Sequence, residues 1–366
     1  MSTRPGLWRC AASLLWGAGW LLLAGGCATN PGKKAEGQHI FYPPPPGAPR
    51  LQFLVSYSGE ADLGRKVSKF STFITGEQAP SQPILKPYGV LLASNQVWVC
   101  DTAGGCLDIL DLQQKTMRRF APTGYGKLGV PINVVLDSEG RRYVADTGRN
   151  QVMIYGPDES FLGAIGENES LRPTGLALRG SRLYVSDLNG HCVRVYDKDS
   201  RKMLFTVPRQ PEADEAKEPG KLYMPVNVAV GQDGSIYVSD MAACRVMVYD
   251  AEGQHLRSIG SRGDLPGQFA RPKGLAVDRE GRIYVVDAAS QVCQIFDREG
   301  KLLLFFGEPG GSGASLDLPA SVVVDYEHVP LFQRFAAPGF ELEHLVLISN
   351  QLGDRKISVY ALGHRR

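Results

Sequence analysis

The sequence predicts an all-β protein that folds as a six-bladed β-propeller, and three features of its 366 residues support this. A unit that begins with proline recurs at intervals of roughly 40 to 50 residues, starting at Pro87, Pro131, Pro173, Pro225, Pro272 and Pro319. Runs such as GLAVD and IYVSD alternate apolar and other residues, as pleated strands do. Turns such as DSEG and GQDG separate the runs. Four short strands per unit of this length are typical of a propeller blade.

The first 26 residues predict a secretion signal. Arg4 and Arg9 precede an apolar run that ends in two glycines and Cys27. The run is short for a transmembrane helix, which needs about 20 residues. The segment resembles the lipobox of bacterial lipoproteins, although Ala24 stands where leucine is more usual. The resemblance implies cleavage before Cys27 and a lipid on its thiol. Because no aspartate follows Cys27, it also implies the outer membrane. The alternative is a soluble secreted protein.

Two segments lie between the signal and the first repeat. Residues 27–49 are predicted to be a lipid-anchored tether, in which Pro43 to Pro46 form an extended polyproline II rod. Residues 60–86 are predicted to be a helical connector, because four apolar residues recur at helical spacing: Leu63, Val67, Phe70 and Ile74.

The propeller is expected to span residues 50–366. The sixth unit ends after its third strand, and an unassigned alternating run, Arg50 to Ser58, lies at the other end of the chain. We therefore expect residues 50–58 to supply the outer strand of the sixth blade. This would close the ring and remove an exposed sheet edge.

Two sets of residues recur in the repeats and are interpreted as structural. An aspartate ends the second strand of five units, and an asparagine replaces it in the sixth: Asp101, Asp146, Asp187, Asp240, Asp287 and Asn350. A catalytic group is needed once rather than six times, so these carboxylates are expected to accept backbone N–H bonds in the following turn. An aromatic residue precedes them and predicts packing between blades: Trp98, Tyr143, Tyr184, Tyr237 and Tyr284.

The units resemble NHL repeats, whose characteristic run is an aspartate, small residues, a polar residue and then an alternating strand that ends in an aromatic residue. DTGRNQVMIY from Asp146 and DLNGHCVRVY from Asp187 carry the resemblance. It implies a six-bladed NHL or TolB-like propeller. It does not select a function, since NHL propellers include enzymes, RNA binders and protein-binding platforms. The proline-rich start and the long sixth unit resemble exported bacterial NHL lipoproteins.

The mouth of the central channel is the predicted ligand site. Its candidate residues follow the starting prolines: Tyr88, Asn133, Thr174, Asn227, Lys273 and Ser321. Two asparagines, a lysine and no carboxylate make a poor calcium site, because Ca²⁺ prefers several oxygens that include charged ones. The histidines form no zinc motif either. We therefore expect no metal and no cofactor, and no catalytic residue is assigned.

The cysteines leave the disulfide state open. After Cys10 and Cys27, five remain: Cys100, Cys106, Cys192, Cys244 and Cys293. An odd number leaves at least one unpaired. Cys100 and Cys106 share a predicted hairpin, which makes them the one plausible pair.

A long insert in the sixth unit, residues 326–343, carries Phe332, Phe335 and Phe340. Long aromatic loops usually have a purpose. The insert is expected either to pack over the propeller or to dock a partner, with these phenylalanines as anchors.

Composition and charge narrow the function. The chain has a formal net charge of +2, which removal of Arg4 and Arg9 would bring near zero, so nucleic-acid binding through bulk charge is not expected. The leading hypothesis is a monomeric, non-catalytic binding or scaffolding propeller, anchored by lipid, with an envelope protein or a small ligand as its partner. The alternative is a lactonase-like or lyase-like propeller enzyme with a site at the channel mouth.

Overall fold

The computed structural model describes residues 39–64, 81–167, 169–209, 220–309 and 313–365. The predicted signal, Cys27 and the start of the tether lie outside these ranges, as does most of the predicted helical connector. The described start of that connector is one turn of 3-10 helix, Glu60–Leu63. No helix within the described ranges is long and apolar enough to cross a bilayer.

Two strands precede the first repeat: β1 (Phe41–Tyr42) and β2 (Leu51–Tyr57). The first blade contains β3 (Pro87–Ala93), β4 (Gln96–Asp101), β5 (Cys106–Asp111) and β6 (Thr116–Phe120). A 3-10 turn, Gly124–Gly126, leads to the second blade, which contains β7 (Pro131–Leu136), β8 (Arg142–Asp146), β9 (Gln151–Tyr155) and β10 (Phe161–Ile165). The third blade contains β11 (Pro173–Arg179), β12 (Arg182–Asp187), β13 (Cys192–Asp197) and β14 (Met203–Val207).

The fourth blade contains β15 (Pro225–Val230), β16 (Ile236–Asp240), β17 (Arg245–Tyr249) and β18 (His255–Ile259). The fifth contains β19 (Pro272–Val277), β20 (Ile283–Asp287), β21 (Val292–Phe296) and β22 (Leu302–Phe306). The sixth contains β23 (Pro319–Asp325), helix α1 (Val329–Phe332), a 3-10 turn (Gln333–Phe335), β24 (Phe340–Asn350) and β25 (Ile357–Arg365). All six sheets are antiparallel, and neighbouring strands in the chain pair within each blade. The predicted six-bladed β-propeller is confirmed.

The hydrophobic core is divided into clusters that each join two neighbouring blades. Tyr184 of the third blade, for example, packs with Val228 and Ile236 of the fourth. Trp98 of the first blade packs in the same way with Val134 and Val144 of the second. The prediction that these aromatic residues pack between blades is therefore confirmed. Because stability comes from contacts between blades, an open ring would leave one cluster exposed to water.

The seam between the sixth and first blades is closed as the sequence predicts. Strand β2 pairs antiparallel with β25, with Leu51 opposite Leu362 and Tyr57 opposite Ile357. Leu51 and Tyr57 are both buried. The N-terminal strand thus supplies the missing outer strand of the sixth blade.

The proline-rich segment differs from its prediction. Strand β1 adds a fifth strand to the sixth blade, with Phe41 opposite Gln52, and Tyr42 is buried against Phe306 and Tyr360. The proline run then turns back, and the Gly47 N–H donates to the Pro44 carbonyl at 3.1 Å. The extended polyproline rod predicted there was wrong: the aromatic pair before the prolines finds an apolar surface on the propeller, and the prolines form the return turn.

The insert of the sixth blade packs onto the propeller. Phe332 and Phe340 are buried in the cluster that joins the sixth and first blades, and Phe335 packs partly buried against it. The side chain of Gln52, itself fully buried, fixes the insert: its Oε1 accepts the Ala337 N–H at 2.9 Å, and its Nε2 donates to the Phe335 carbonyl at 2.9 Å. Of the two roles that the sequence left open, the structure favours packing. Phe332 and Phe340 are not exposed as docking anchors.

The closing strand should therefore contribute strongly to stability. Replacing Leu51 with Ala removes a fully buried side chain from β2, and we expect the free energy of unfolding to fall by about 3 kcal/mol. Leu303→Ala is the matched control, since Leu303 lies on the outer strand of the fifth blade and is 41% exposed. That change should cost about 1 kcal/mol or less. Urea unfolding of both variants measures the difference, and equal small losses would contradict the closure argument.

Candidate functional site

The recurring aspartates act as clamps at one face of the disc. In the fourth blade, Asp240 Oδ2 accepts the Tyr223 N–H at 2.6 Å, and its Oδ1 accepts three more N–H groups, from Met224, Ala242 and Ala243, at 2.9–3.1 Å. One carboxylate thus binds the loop that enters the blade and the turn that leaves its second strand. We call this arrangement the aspartate clamp, and it is formed again around Asp101 and Asp146. The structural interpretation of these residues is confirmed.

The clamps also define the two faces of the disc. We call the end where the inner strands begin, at the repeat prolines, the proline face. In five blades the starting proline pairs with the clamp aspartate, as Pro225 does with Asp240, and in the sixth Pro319 pairs with Asn350. The opposite end, where inner strands end at residues such as Val230 and Val277, is called the far face.

The inner strands alternate between two local sequences around the ring. The second residue after the proline is glycine in the odd blades and Asn or Ser in the even ones. A Cβ added at Gly175 would lie 2.6 Å from the Asn227 Cα, and one at Gly274 would lie 2.5 Å from the Ser321 Cα. Real Cβ atoms do not approach that closely, so glycine is required for the next blade to fit.

The six candidate residues consequently separate into two levels. Asn133, Asn227 and Ser321 lie at the second position after the proline and line the channel cavity. Tyr88, Thr174 and Lys273 lie at the first position, and none of the three is in the wall of that cavity. The Thr174 hydroxyl donates to the Pro225 carbonyl at 3.1 Å, which is a contact between blades. A single ring of six ligand residues, as the sequence predicts, is therefore not what the fold builds.

The channel cavity has a volume of about 210 Å³ and is walled by all six inner strands. Most of the wall is aliphatic, and the polar side chains in it are Asn133, Asn227 and Ser321. Asn227 Oδ1 already accepts the Val228 N–H at 2.8 Å. No titratable side chain stands among the described wall residues. The cavity is therefore suited to apolar groups.

A second cavity, also of about 210 Å³, adjoins the channel on the far face. The two cavities share Val230, Val277 and Val324 in their walls. The second is polar on its outer side, where its wall contains Gln232, Asp278, Arg279, Asp325, Tyr326 and Glu327. An apolar channel with a polar rim at one side is therefore the candidate small-molecule site.

On the proline face, Lys273 reaches towards the first blade. Its Nζ lies 5.2 Å from the centre of the Tyr88 ring and 3.3 Å from the Gln351 Oε1. Burial, with a smaller contribution from the positive charges of Arg271 and Lys86, lowers the pKa of Lys273 to about 8. Burial also raises the pKa of Tyr88 to about 12, so its hydroxyl is neutral. These two predicted site residues do meet, above the channel rather than inside it.

A buried network that the sequence did not indicate lies between the fifth and sixth blades. Tyr284 donates to Asp278 Oδ2 at 2.9 Å, and His344 Nε2 lies 2.8 Å from the Tyr284 oxygen. Because a carboxylate only accepts, the Tyr284 hydrogen goes to Asp278 and His344 Nε2 carries its own hydrogen. His344 Nδ1 is then an unprotonated acceptor, and it has no partner among the described residues. Arg282 Nε donates to the other side of Asp278 Oδ2 at 2.5 Å.

The network is a structural contact. His344 is fully buried and Tyr326 stacks on its ring with centroids 4.6 Å apart, so a substrate does not reach it. Burial lowers the pKa of His344 to about 4, and the nearby Arg282 charge acts in the same direction. His344 is thus neutral at physiological pH. A signal was present in the sequence, since D-x-E-G-R-x-Y occurs at Asp137 and again at Asp278, but the partner from the next blade cannot be read from it.

His344 should make stability depend on pH. Its folded pKa of about 4 lies below the unfolded value of about 6.5, so the unfolded chain binds the proton more readily. The contribution is present above pH 6.5 and is lost as the pH falls towards 4, by roughly 3 kcal/mol. Urea unfolding from pH 7 to pH 4 should therefore show a steeper loss in the wild type than in His344→Gln. Parallel curves for the two proteins would show that this assignment is wrong.

The remaining candidate groups are the cysteines and the possible metal ligands. All five cysteines in the described ranges are free, so the possible Cys100–Cys106 disulfide is not formed. Burial raises the pKa of Cys106 to about 12, so this thiol is unreactive. Within those same ranges no group of three or more His, Cys, Asp or Glu side chains is arranged to hold a metal ion.

Comparison with known proteins supports the fold. The family described as 6-bladed beta-propeller (DUF5128) matches residues 225–303, which contain the fourth blade and most of the fifth. No curated protein sequence matches the chain.

Several solved structures are similar at low identity. One described as a streptogramin B lyase is 14% identical with a TM-score of 0.52, over 77% of this chain and 85% of that chain. A protein of unknown function from Bacteroides thetaiotaomicron is 15% identical with a TM-score of 0.57, over 85% and 75%. A calcium-binding protein, regucalcin, from Agrobacterium tumefaciens is 13% identical with a TM-score of 0.53, over 78% and 92%. At such identities the likeness concerns the fold alone.

Proposed function

We propose that this chain is a non-catalytic binding propeller of the bacterial cell envelope, and that it takes a small apolar or amphipathic ligand through its far face. The observation that carries the proposal is the aliphatic channel of about 210 Å³, joined to a second cavity with a polar rim. Apolar cavities with a few polar groups at one end are the usual form of a small-molecule site. The apolar end of a ligand would enter the channel, and its polar end would meet Gln232, Arg279 or Tyr326.

The enzyme alternative has less support. Acid–base and nucleophilic catalysis need titratable side chains within hydrogen-bond reach of a substrate. The described channel wall offers only Asn133, Asn227 and Ser321 as polar groups. Two carboxylates of the far-face rim are already engaged: Asp278 accepts hydrogen bonds from Arg282 and Tyr284, and Asp325 accepts the His328 N–H. The lyase and the calcium-binding protein named above are like this chain in fold alone.

Anchoring is part of the same proposal. The repeats are proposed to be NHL repeats, and the lipobox-like segment before Cys27 is proposed to place the protein in the outer membrane. Replacing Cys27 with Ser should abolish lipid attachment and release the protein from the membrane fraction. Metabolic labelling with a fatty acid and fractionation of cells measure both effects. Membrane association of the variant at the wild-type level would contradict the lipoprotein assignment.

Filling the channel tests the ligand site. Ala276 lines the cavity, so Ala276→Leu should weaken binding of a fluorescent phenyl-naphthylamine, an apolar probe, by about tenfold or more. Val324→Ala enlarges the same cavity and should retain or strengthen binding. Fluorescence titration measures both.

Ala242→Leu is the matched control, because it adds the same side chain at an exposed position on the opposite face. It should leave binding unchanged. Melting temperatures show whether each variant is folded. A folded Ala276→Leu protein that binds the probe like wild type would contradict the channel site.

A further inference from the structure

The residues that precede the repeat prolines alternate in charge around the ring. In the odd blades these residues are basic: Lys86, Arg172 and Arg271. In the even blades they are apolar: Val130, Met224 and Leu318. Each odd blade therefore begins with a basic residue, proline, a variable residue and glycine. Each even blade begins with an apolar residue, proline, a second apolar residue and then asparagine or serine. Three cations are thus distributed around the channel axis with approximate threefold symmetry, although the propeller has six blades.

The clamps hold the backbone of these three residues in place. Asp101 accepts the Lys86 N–H at 3.1 Å, Asp187 accepts the Arg172 N–H at 2.9 Å, and Asp287 accepts the Arg271 N–H at 3.0 Å. Each residue stands directly before an inner strand, so each side chain originates at the rim of the channel on the proline face. All three are exposed, whereas their apolar counterparts are half-buried.

Lys273 adds a fourth cation to this rim. It follows Pro272 on β19, and its Nζ donates to the side-chain Oε1 of Gln351 and lies over the face of the Tyr88 ring. Throughout the described ranges, no carboxylate lies within ion-pair distance of Lys86, Arg172, Arg271 or Lys273. Four basic side chains therefore originate at one rim, and none of them forms an ion pair with a described carboxylate.

The clamp carboxylates lie on the same face but do not neutralise these side chains. Each is buried, and its oxygens accept backbone N–H groups of the blade entrance and the following turn. The charges that act on Lys273 are those of Arg271 on its own loop and Lys86 from the first blade, and both disfavour its protonated form. No negative charge is among the described groups that shift the pKa of Lys273.

We propose that the proline-face opening of the channel binds a small oxyanion with two or three negative groups, such as a polycarboxylate. Arginine and lysine side chains form charge-assisted hydrogen bonds with carboxylate oxygens. An opening lined by one sign of charge concentrates counter-ions. A ligand with several carboxylates that point outward from a centre can contact cations from more than one blade at once. A ligand with a single carboxylate can contact fewer of them. This site is separate from the proposed apolar site, which opens on the far face.

Isothermal titration calorimetry of the full mature chain with trimesate, a threefold tricarboxylate, tests the proposal at low ionic strength. We expect trimesate to bind at least about tenfold more tightly than benzoate, and its affinity to fall with added salt. Arg172→Gln and Arg271→Gln should each weaken trimesate binding by about fivefold or more. Arg149→Gln is the control: it removes the same charge from an exposed position on the same face, in the turn after β8, and should have little effect.

The pH dependence gives a second readout. Raising the pH from 7 to 9 deprotonates Lys273 and should weaken trimesate binding, and Lys273→Met should lose most of this dependence. Equal losses for Arg149→Gln and Arg271→Gln would show that only net charge matters and would overturn the site. Binding only to vesicles that contain phosphatidylglycerol, with no affinity for trimesate, would overturn it as well. Because the phenyl-naphthylamine probe reports binding in the channel cavity and trimesate reports binding at the proline face, failure of either site is distinguishable from failure of the other.

Discussion

The aspartate clamp is the interaction on which the rest of the propeller depends. A strand that enters a blade from an irregular loop leaves backbone N–H groups that regular sheet pairing does not satisfy. One buried carboxylate accepts several of them and binds the loop before the inner strand to the turn after the second strand, as Asp240 does for Tyr223 and Ala242. A carboxylate is suited to this because it only accepts hydrogen bonds and can accept several. The start of each inner strand is thereby fixed, and with it the shape of the channel.

The sixth blade shows what happens when the clamp is altered. Asn350 accepts the Asp317 N–H at 3.2 Å through its Oδ1, while its Nδ2 donates to the Arg355 carbonyl at 2.8 Å. The amide can thus replace the carboxylate only because the turn of this blade offers a carbonyl to its hydrogens. This blade is also the one completed by the N-terminal strand β2.

Sequence reasoning predicted what repetition and periodicity encode, and it failed where a contact comes from a non-repeated segment. The blade boundaries, the clamp role of Asp146 and the closing strand β2 could be predicted because each rests on alternation or on recurrence. The packing of Phe332 could not be predicted, since an isolated aromatic loop gives no sign of the surface that it covers. The His344 network was missed for a related reason: its members come from two blades, and pairing across blades leaves no pattern in the sequence. The six channel candidates were predicted to form one ring because all units were aligned on their starting proline. The glycine at the second position of the odd units, which separates the candidates into two levels, was not taken into account.

The difference between the odd and even blades gives the six-bladed ring an approximate threefold symmetry. Glycine at Gly175 and Gly274 lets the following blade approach closely, so the inner strands associate as odd–even pairs. The same odd blades carry the basic residues before their prolines, while the even blades carry apolar residues there. Packing alone does not require a basic residue at this position. Val130 and Arg172 occupy equivalent positions, and each precedes a proline-initiated strand that is held by an aspartate clamp. Exposed cations therefore recur in alternate blades on a chain whose formal net charge is only +2, and no described carboxylate forms an ion pair with them. The two faces of the disc thus differ in chemistry: one is cationic around Lys273, and the other opens into an aliphatic cavity.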